Sequence, residues 1–117
     1  MSFETMEVVI FAGGRGTRLH DLTGDIIPKP MVKIGKEPIL WHILQIYYAQ
    51  GFRRFVVAAG HLGYQIADWA DSVTKPDGME IDVVDTGDET QTAGRLLVLR
   101  ERGYLKNVFM LLSLIHI

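Results

Sequence analysis

The chain has 117 residues, 48% of them hydrophobic and 22% charged, with a formal net charge of −2. That is enough for one modest domain with one core, of ordinary soluble composition, and the charge makes no case for nucleic acid or an anionic membrane. The absence of cysteine excludes disulfides, thiolate metal sites and a cysteine nucleophile. No apolar run reaches membrane-span length and no signal peptide is recognisable, so a cytoplasmic protein is expected.

The first element predicted is a buried parallel strand over residues 8–12, from the β-branched run Val8-Val9-Ile10 stopped by glycine. Gly13, Gly14 and Gly16 then form a loop that lets backbone N–H groups approach a ligand closely. A helix opening near Thr17 is expected to add its positive dipole end to this phosphate cradle. Arg18 adds a permanent cation whose donor fork suits phosphate oxygens. A dinucleotide fingerprint is not complete. Its third glycine is missing, and a basic stretch, 28–33, stands where an acid is wanted about 20 residues on. No Gly-Lys-Ser/Thr follows, so the loop is no P-loop either.

Residues 19–37 read as loop, punctuated by Gly24, Pro28, Pro30 and Gly35. Pro38 opens a helix that Gly51 ends, with Ile39, Leu40, Ile43, Leu44, Ile46 and Tyr47 at helical spacing. In that helix His42 reads as a packed histidine, and Trp41, Tyr47 and Tyr48 as core or interface. A second buried strand covers 55–59, stopped by Gly60. A helix over 63–73, a turn at 76–78, a strand over 79–84 and a polar loop over 85–89 follow. A helix over 93–102 and an apolar strand over 108–112 complete the order βαβαβαβ. That order predicts a mostly parallel α/β sheet with right-handed crossovers. Ligands of such sheets sit outside the carboxyl ends of the strands, where the three glycine-bearing loops fall.

The combination of Ala12-Gly13-Gly14-Arg15-Gly16-Thr17-Arg18-Leu19, Ile27-Pro28-Lys29-Pro30-Met31-Val32 and Lys36-Glu37-Pro38-Ile39-Leu40 resembles the sugar-nucleotidyltransferase family. Trp41-His42-Ile43, Gly60-His61-Leu62-Gly63-Tyr64, Val84-Asp85-Thr86-Gly87 and Thr92-Ala93-Gly94-Arg95-Leu96 look like the glucose-1-phosphate cytidylyltransferases within it. Those enzymes usually carry two glycines before Arg-Leu; here the first is Ala93. The resemblance implies a Rossmann-like three-layer α/β sandwich and transfer of CMP from CTP to glucose 1-phosphate, giving CDP-glucose and pyrophosphate. It implies Arg18 and Lys29 as the catalytic cations. It implies Ala12, Gly13, Gly14, Gly16, Thr17, Arg18, Gly60, Thr92, Ala93 and Gly94 as nucleotide-binding positions. Mg²⁺, a homo-oligomer and a role in deoxysugar supply for lipopolysaccharide O-antigen are implied in the same way.

In the resembling family the last strand runs into a segment whose aspartate binds the catalytic metal. By register that aspartate falls near Ile115, where there is no carboxylate, so no residue here is assigned to metal. The expectation is therefore an N-terminal part of a catalytic domain over 1–112, followed by a non-native tail over 113–117. This polypeptide is expected to lack useful transfer activity and to be marginally stable. Two other readings fit the same residues: a nucleotide-binding module without turnover, and a transferase using UTP or dTTP.

Overall fold

The computed structural model describes residues 5–12, 17–18, 26–27, 29–60, 63–86, 92–105 and 109–113. Four strands form one sheet in which every pairing is parallel: β1 (Glu7–Ala12), β6 (Arg54–Ala59), β7 (Glu80–Asp85) and β8 (Phe109–Ser113). Their spatial order is β7-β6-β1-β8. The chain steps outward from β1 through β6 to β7, then returns to the far side of β1. The order therefore reverses at β1, directly before residues 13–16.

The helices follow from that path. α1 (Ile39–Ala49) and α2 (Gly63–Ser72) connect strands stepping one way; α3 (Thr92–Glu101) connects the return. Right-handed crossovers send connections of opposite direction to opposite faces, and the core divides accordingly. Val8, Ile10, Phe55 and Val57 pack with Leu40, Leu44 and Ile66 on the α1/α2 face. Val9, Phe11, Val56 and Ala58 pack with Leu99 of α3 on the other. β1 is buried along its whole length, which is why its sequence shows a continuous apolar run rather than alternation.

The predicted three-layer α/β architecture is therefore present, with element ends shifted by a residue or two. Gly51 (φ 113°) and Gly103 (φ 94°) do close α1 and α3 in left-handed conformations. β8 takes in Ser113, which pairs with Phe11; 114–117 lie outside the described residues, as does Ile115 with them.

Three expectations are corrected. Thr17 and Arg18 open no helix: they form β2 (Thr17–Arg18), paired antiparallel with β3 (Ile26–Ile27). β-branched Thr17 opposite Ile27 suits a ribbon better than a helix start, so no helix dipole assists the cradle at that point. The stretch read as loop also holds a 3-10 turn (Lys29–Met31) and a hairpin of β4 (Lys33–Ile34) and β5 (Glu37–Pro38). Gly35 (φ 71°) turns that hairpin, and Pro38 caps α1 from outside instead of entering it. Finally, His42 is exposed, and its Nε2–H donates to the Ile34 carbonyl at 2.9 Å. It faces the hairpin, not the core. Trp41 is buried and meets Trp69 edge to face at 5.8 Å, joining α1 to α2.

The edge opposite the strands' carboxyl ends carries a polar network. Glu7 is buried, and its Oε1 accepts the N–H of Leu105, whose φ is 64°. Tyr104 donates its hydroxyl to Asp82 Oδ2 at 3.1 Å. Burial first, and then the Asp82 carboxylate, raise the Tyr104 phenol above its ordinary value. A phenol that ionises later in the folded state stabilises fully below its unfolded value. That contribution is lost as pH rises through the folded one. The urea midpoint should fall from about pH 9 to about pH 12. Tyr104→Phe should flatten that fall, and equal slopes for the two proteins would refute the assignment.

Candidate functional site at the carboxyl edge of the sheet

The ends of β1, β6 and β7 lie side by side, with Ala12 paired to Ala59 and Ala59 to Asp85. In open α/β sheets the crevice outside the strand ends at the order reversal is where ligands bind. Here the reversal is at β1, the strand that residues 13–16 follow in the chain. Gly13, Gly14 and Gly16 themselves lie outside the described residues. The same edge receives Gly60 from β6 and, beyond β7, the start of α3 at Thr92, Ala93 and Gly94.

The two implied cations come from one local unit. Arg18 is the last residue of β2, opposite Ile26, and Lys29 begins the 3-10 turn two residues after β3 ends. Arg18 thus lies within the ribbon and Lys29 just past its end, eleven positions apart in sequence. Pro28 and Pro30 on either side of Lys29 restrict its stem.

Thr86, part of the expected polar loop and of the Val84-Asp85-Thr86-Gly87 resemblance, fastens the edge. It is buried, and both its N–H and its Oγ1–H donate to the Ala59 carbonyl, at 2.9 and 3.2 Å. Asp85 is the last strand residue rather than part of the loop, and 87–91 lie outside the described residues. Gly60 accepts the N–H of Gly63, and α2 begins there.

The helix sits so close that a Cβ on Gly63 would stand 2.8 Å from the Cβ of Ala59. Gly63→Ala should therefore cost about 1–3 kcal/mol, because backbone or sheet must move. Ala59→Gly in the same chain should recover part of that loss, giving a coupling of at least about 0.5 kcal/mol in urea unfolding. Additive effects would show that the two residues do not collide.

A recess of about 360 Å³ lies at this edge, with Ala59, Gly60, Gly63, Tyr64, Ala67 and Asp85 in its lining. Sequence inspection picked out Gly60 but not Tyr64 or Asp85 as recess residues. The available signal was the run of small residues at 59, 60, 63 and 67. Among the described residues there is no group of three or more His, Asp or Glu able to hold a metal ion. No helix there is long and apolar enough to cross a membrane.

A parallel sheet whose order reverses at β1, with a crevice at the carboxyl ends of its strands, defines a protein of the nucleotide-handling α/β class. The chain belongs to the nucleotidyl transferase family, whose model matches residues 7–95. It is 37% identical to the glucose-1-phosphate cytidylyltransferase of Salmonella typhimurium, with 87% of this chain and 46% of that protein covered. It is 36% identical to the "Probable glucose-1-phosphate cytidylyltransferase" of Bacillus subtilis, covering 82% of this chain and 45% of that protein. The solved structure of HddC from Yersinia pseudotuberculosis, complexed with GMP-PN, superposes with a TM-score of 0.73 at 26% identity. That superposition covers 93% of this chain and 47% of HddC. The chain thus spans about half the length of the curated relatives it matches.

Proposed function

We propose that the whole protein represented by this chain transfers CMP from CTP to glucose 1-phosphate, and that residues 1–112 supply its triphosphate-binding half. The observation that carries this reading is the 36–37% identity to glucose-1-phosphate cytidylyltransferases along four fifths or more of the chain. The crevice at the order reversal supports it, because a nucleotide needs a cradle of that kind.

In the proposed reaction a phosphate oxygen of glucose 1-phosphate attacks the α-phosphorus of CTP. The bond from that phosphorus to the bridging oxygen breaks, and pyrophosphate leaves. No covalent protein nucleophile is needed, so positioning and charge neutralisation do the work. Backbone amides of 13–16 hold the triphosphate. Arg18 neutralises the oxygens that depart as pyrophosphate. Lys29 stands by the α-phosphate and the incoming sugar phosphate, with Gly60 and Thr92, Ala93 and Gly94 around the nucleoside. Mg²⁺ is a further proposed participant, but the described residues assemble no ligand set for it, so no step is assigned to it here.

The test has two readouts on the 117-residue chain. Calorimetric titration should detect CTP binding, and a pyrophosphate-release assay with CTP and glucose 1-phosphate should detect no useful turnover. Failure to bind CTP overturns the nucleotide site. CDP-glucose formation at the rate of a complete enzyme overturns the proposed inactivity of this polypeptide.

A further inference from the structure

α1 differs from the other helices on its outward side. Its eleven residues include no Asp, Glu, Lys or Arg, whereas α2 exposes Asp68 and Asp71 and α3 exposes Arg100 and Glu101. Leu40, Trp41 and Leu44 turn into the core. Away from them, Ile39, His42, Ile43 and Ile46 recur at the spacing of one helical stripe. Ile46 is 58% exposed, and Ile39 and Ile43 are half-buried. The hairpin extends this stripe, because His42 holds the Ile34 carbonyl and Ile34 is 59% exposed. Leu97 on α3 is as exposed as Ile46, but Arg100 and Glu101 stand one turn on, so it is a lone apolar side chain in a charged setting. A charge-free side with apolar groups at contact spacing has the composition of an interface core.

Architecture and charge together say what covers it. Helices of an open α/β sheet form one layer on each face, so further crossovers of the same sheet lie beside α1 and not over it. The stripe therefore faces another molecule. A second copy of this chain fits, because a two-fold contact sets a surface against itself and this stripe carries no charge to repel its image. Lys33 and Lys36 are exposed on the hairpin, beside the first turn of α1. Antiparallel helices keep the two lysine pairs apart by about 16 Å, the length of eleven helical residues; parallel helices bring them together. We propose that this chain self-associates through the outward sides of α1 and the β4–β5 hairpin, with the two α1 helices antiparallel about a two-fold axis. This contact does not rest on the nucleotide reading, whose site lies at the carboxyl edge of the sheet.

A helix pair and a hairpin bury less than a standard interface, so the dimer should be weak, with Kd about 10–100 µM. Sedimentation velocity of the 117-residue chain across that range should show monomer and dimer in exchange. Ile46→Asp and Ile34→Asp should each weaken the dimer at least about tenfold, since every substitution enters a two-fold contact twice. Leu97→Asp puts the same charge on an equally exposed position of α3 and should leave the Kd within about twofold. Circular dichroism checks that each variant is folded. The chain has no cysteine, so single introduced thiols report the orientation. Ile46→Cys, near the middle of the stripe, should form a disulfide-linked dimer under mild oxidation, whereas Gln50→Cys, at its end, should not. A chain that stays monomeric well above that concentration range overturns the proposal, as does equal weakening by Leu97→Asp and Ile46→Asp. Cross-linking of Gln50→Cys as fast as Ile46→Cys overturns it too, because only parallel helices bring that end to its own image.

Discussion

Phe55→Ala should destabilise the chain by about 3–5 kcal/mol, the usual cost of deleting a buried aromatic side chain. Phe55 is 1% exposed and lies on β6 between β1 and β7, paired with Val8 on one side and Ile81 on the other. Its ring belongs to the α1/α2 core with Leu40, Leu44 and Ile66. Truncation removes apolar surface shared by the sheet and the helix layer, and central strands leave little room for collapse into the void. Against a typical total of about 5–15 kcal/mol, that loss populates the unfolded state heavily. Phe55→Leu should cost less than Phe55→Ala, since most of the volume remains. Exposed Ile46, 58% accessible on α1, should tolerate alanine within about 0.5 kcal/mol. Urea unfolding followed by Trp fluorescence measures all three, and a Phe55→Ala loss below about 1 kcal/mol would contradict the packing described.

Lys29→Gln and Arg18→Gln should each weaken CTP binding about tenfold or more. A hydrogen bond to a charged group contributes about 1.5–3 kcal/mol, and about 1.4 kcal/mol corresponds to tenfold. The cations act on phosphate, so cytidine without phosphates should bind both variants as it binds wild type. The wild-type advantage for CTP should also shrink as salt is raised. The two substitutions should not add fully, because both cations are proposed to act on one triphosphate. Equal loss of cytidine and CTP affinity would instead point to a misfolded ribbon.

Much of this architecture was legible along the chain. The runs at 8–12 and 55–59 are continuous and apolar because both strands are covered on two faces, and such runs have few other uses in a short domain. Glycine after each strand and at 51 and 103 marked the element ends correctly. The resemblance carried by residues 12–19, 27–32 and 36–40 agrees with the family assignment. The failures have local causes. Thr17 and Arg18 read as a helix start because a glycine loop often precedes one, while their actual partners, Ile27 and Ile26, lie ten and eight residues further on. His42 falls in a helix full of core residues, but its own direction is toward the hairpin carbonyl of Ile34. Pattern alone does not show which way a single residue on a crowded helix points.

Element order, the glycine run and the two cations were determined by the sequence itself, since each depends on neighbours a few positions away. The tertiary structure decided that β8 returns beside β1 instead of extending the sheet past β7. That choice puts the order reversal at the glycine loop. The pairing of β7 with β6 brings Thr86 onto the Ala59 carbonyl, and α2 beside them sets Tyr64 and Asp85 around one recess. Each of these depends on parallel pairing between distant segments and on which face a crossover covers. Such contacts exist only once the sheet has closed.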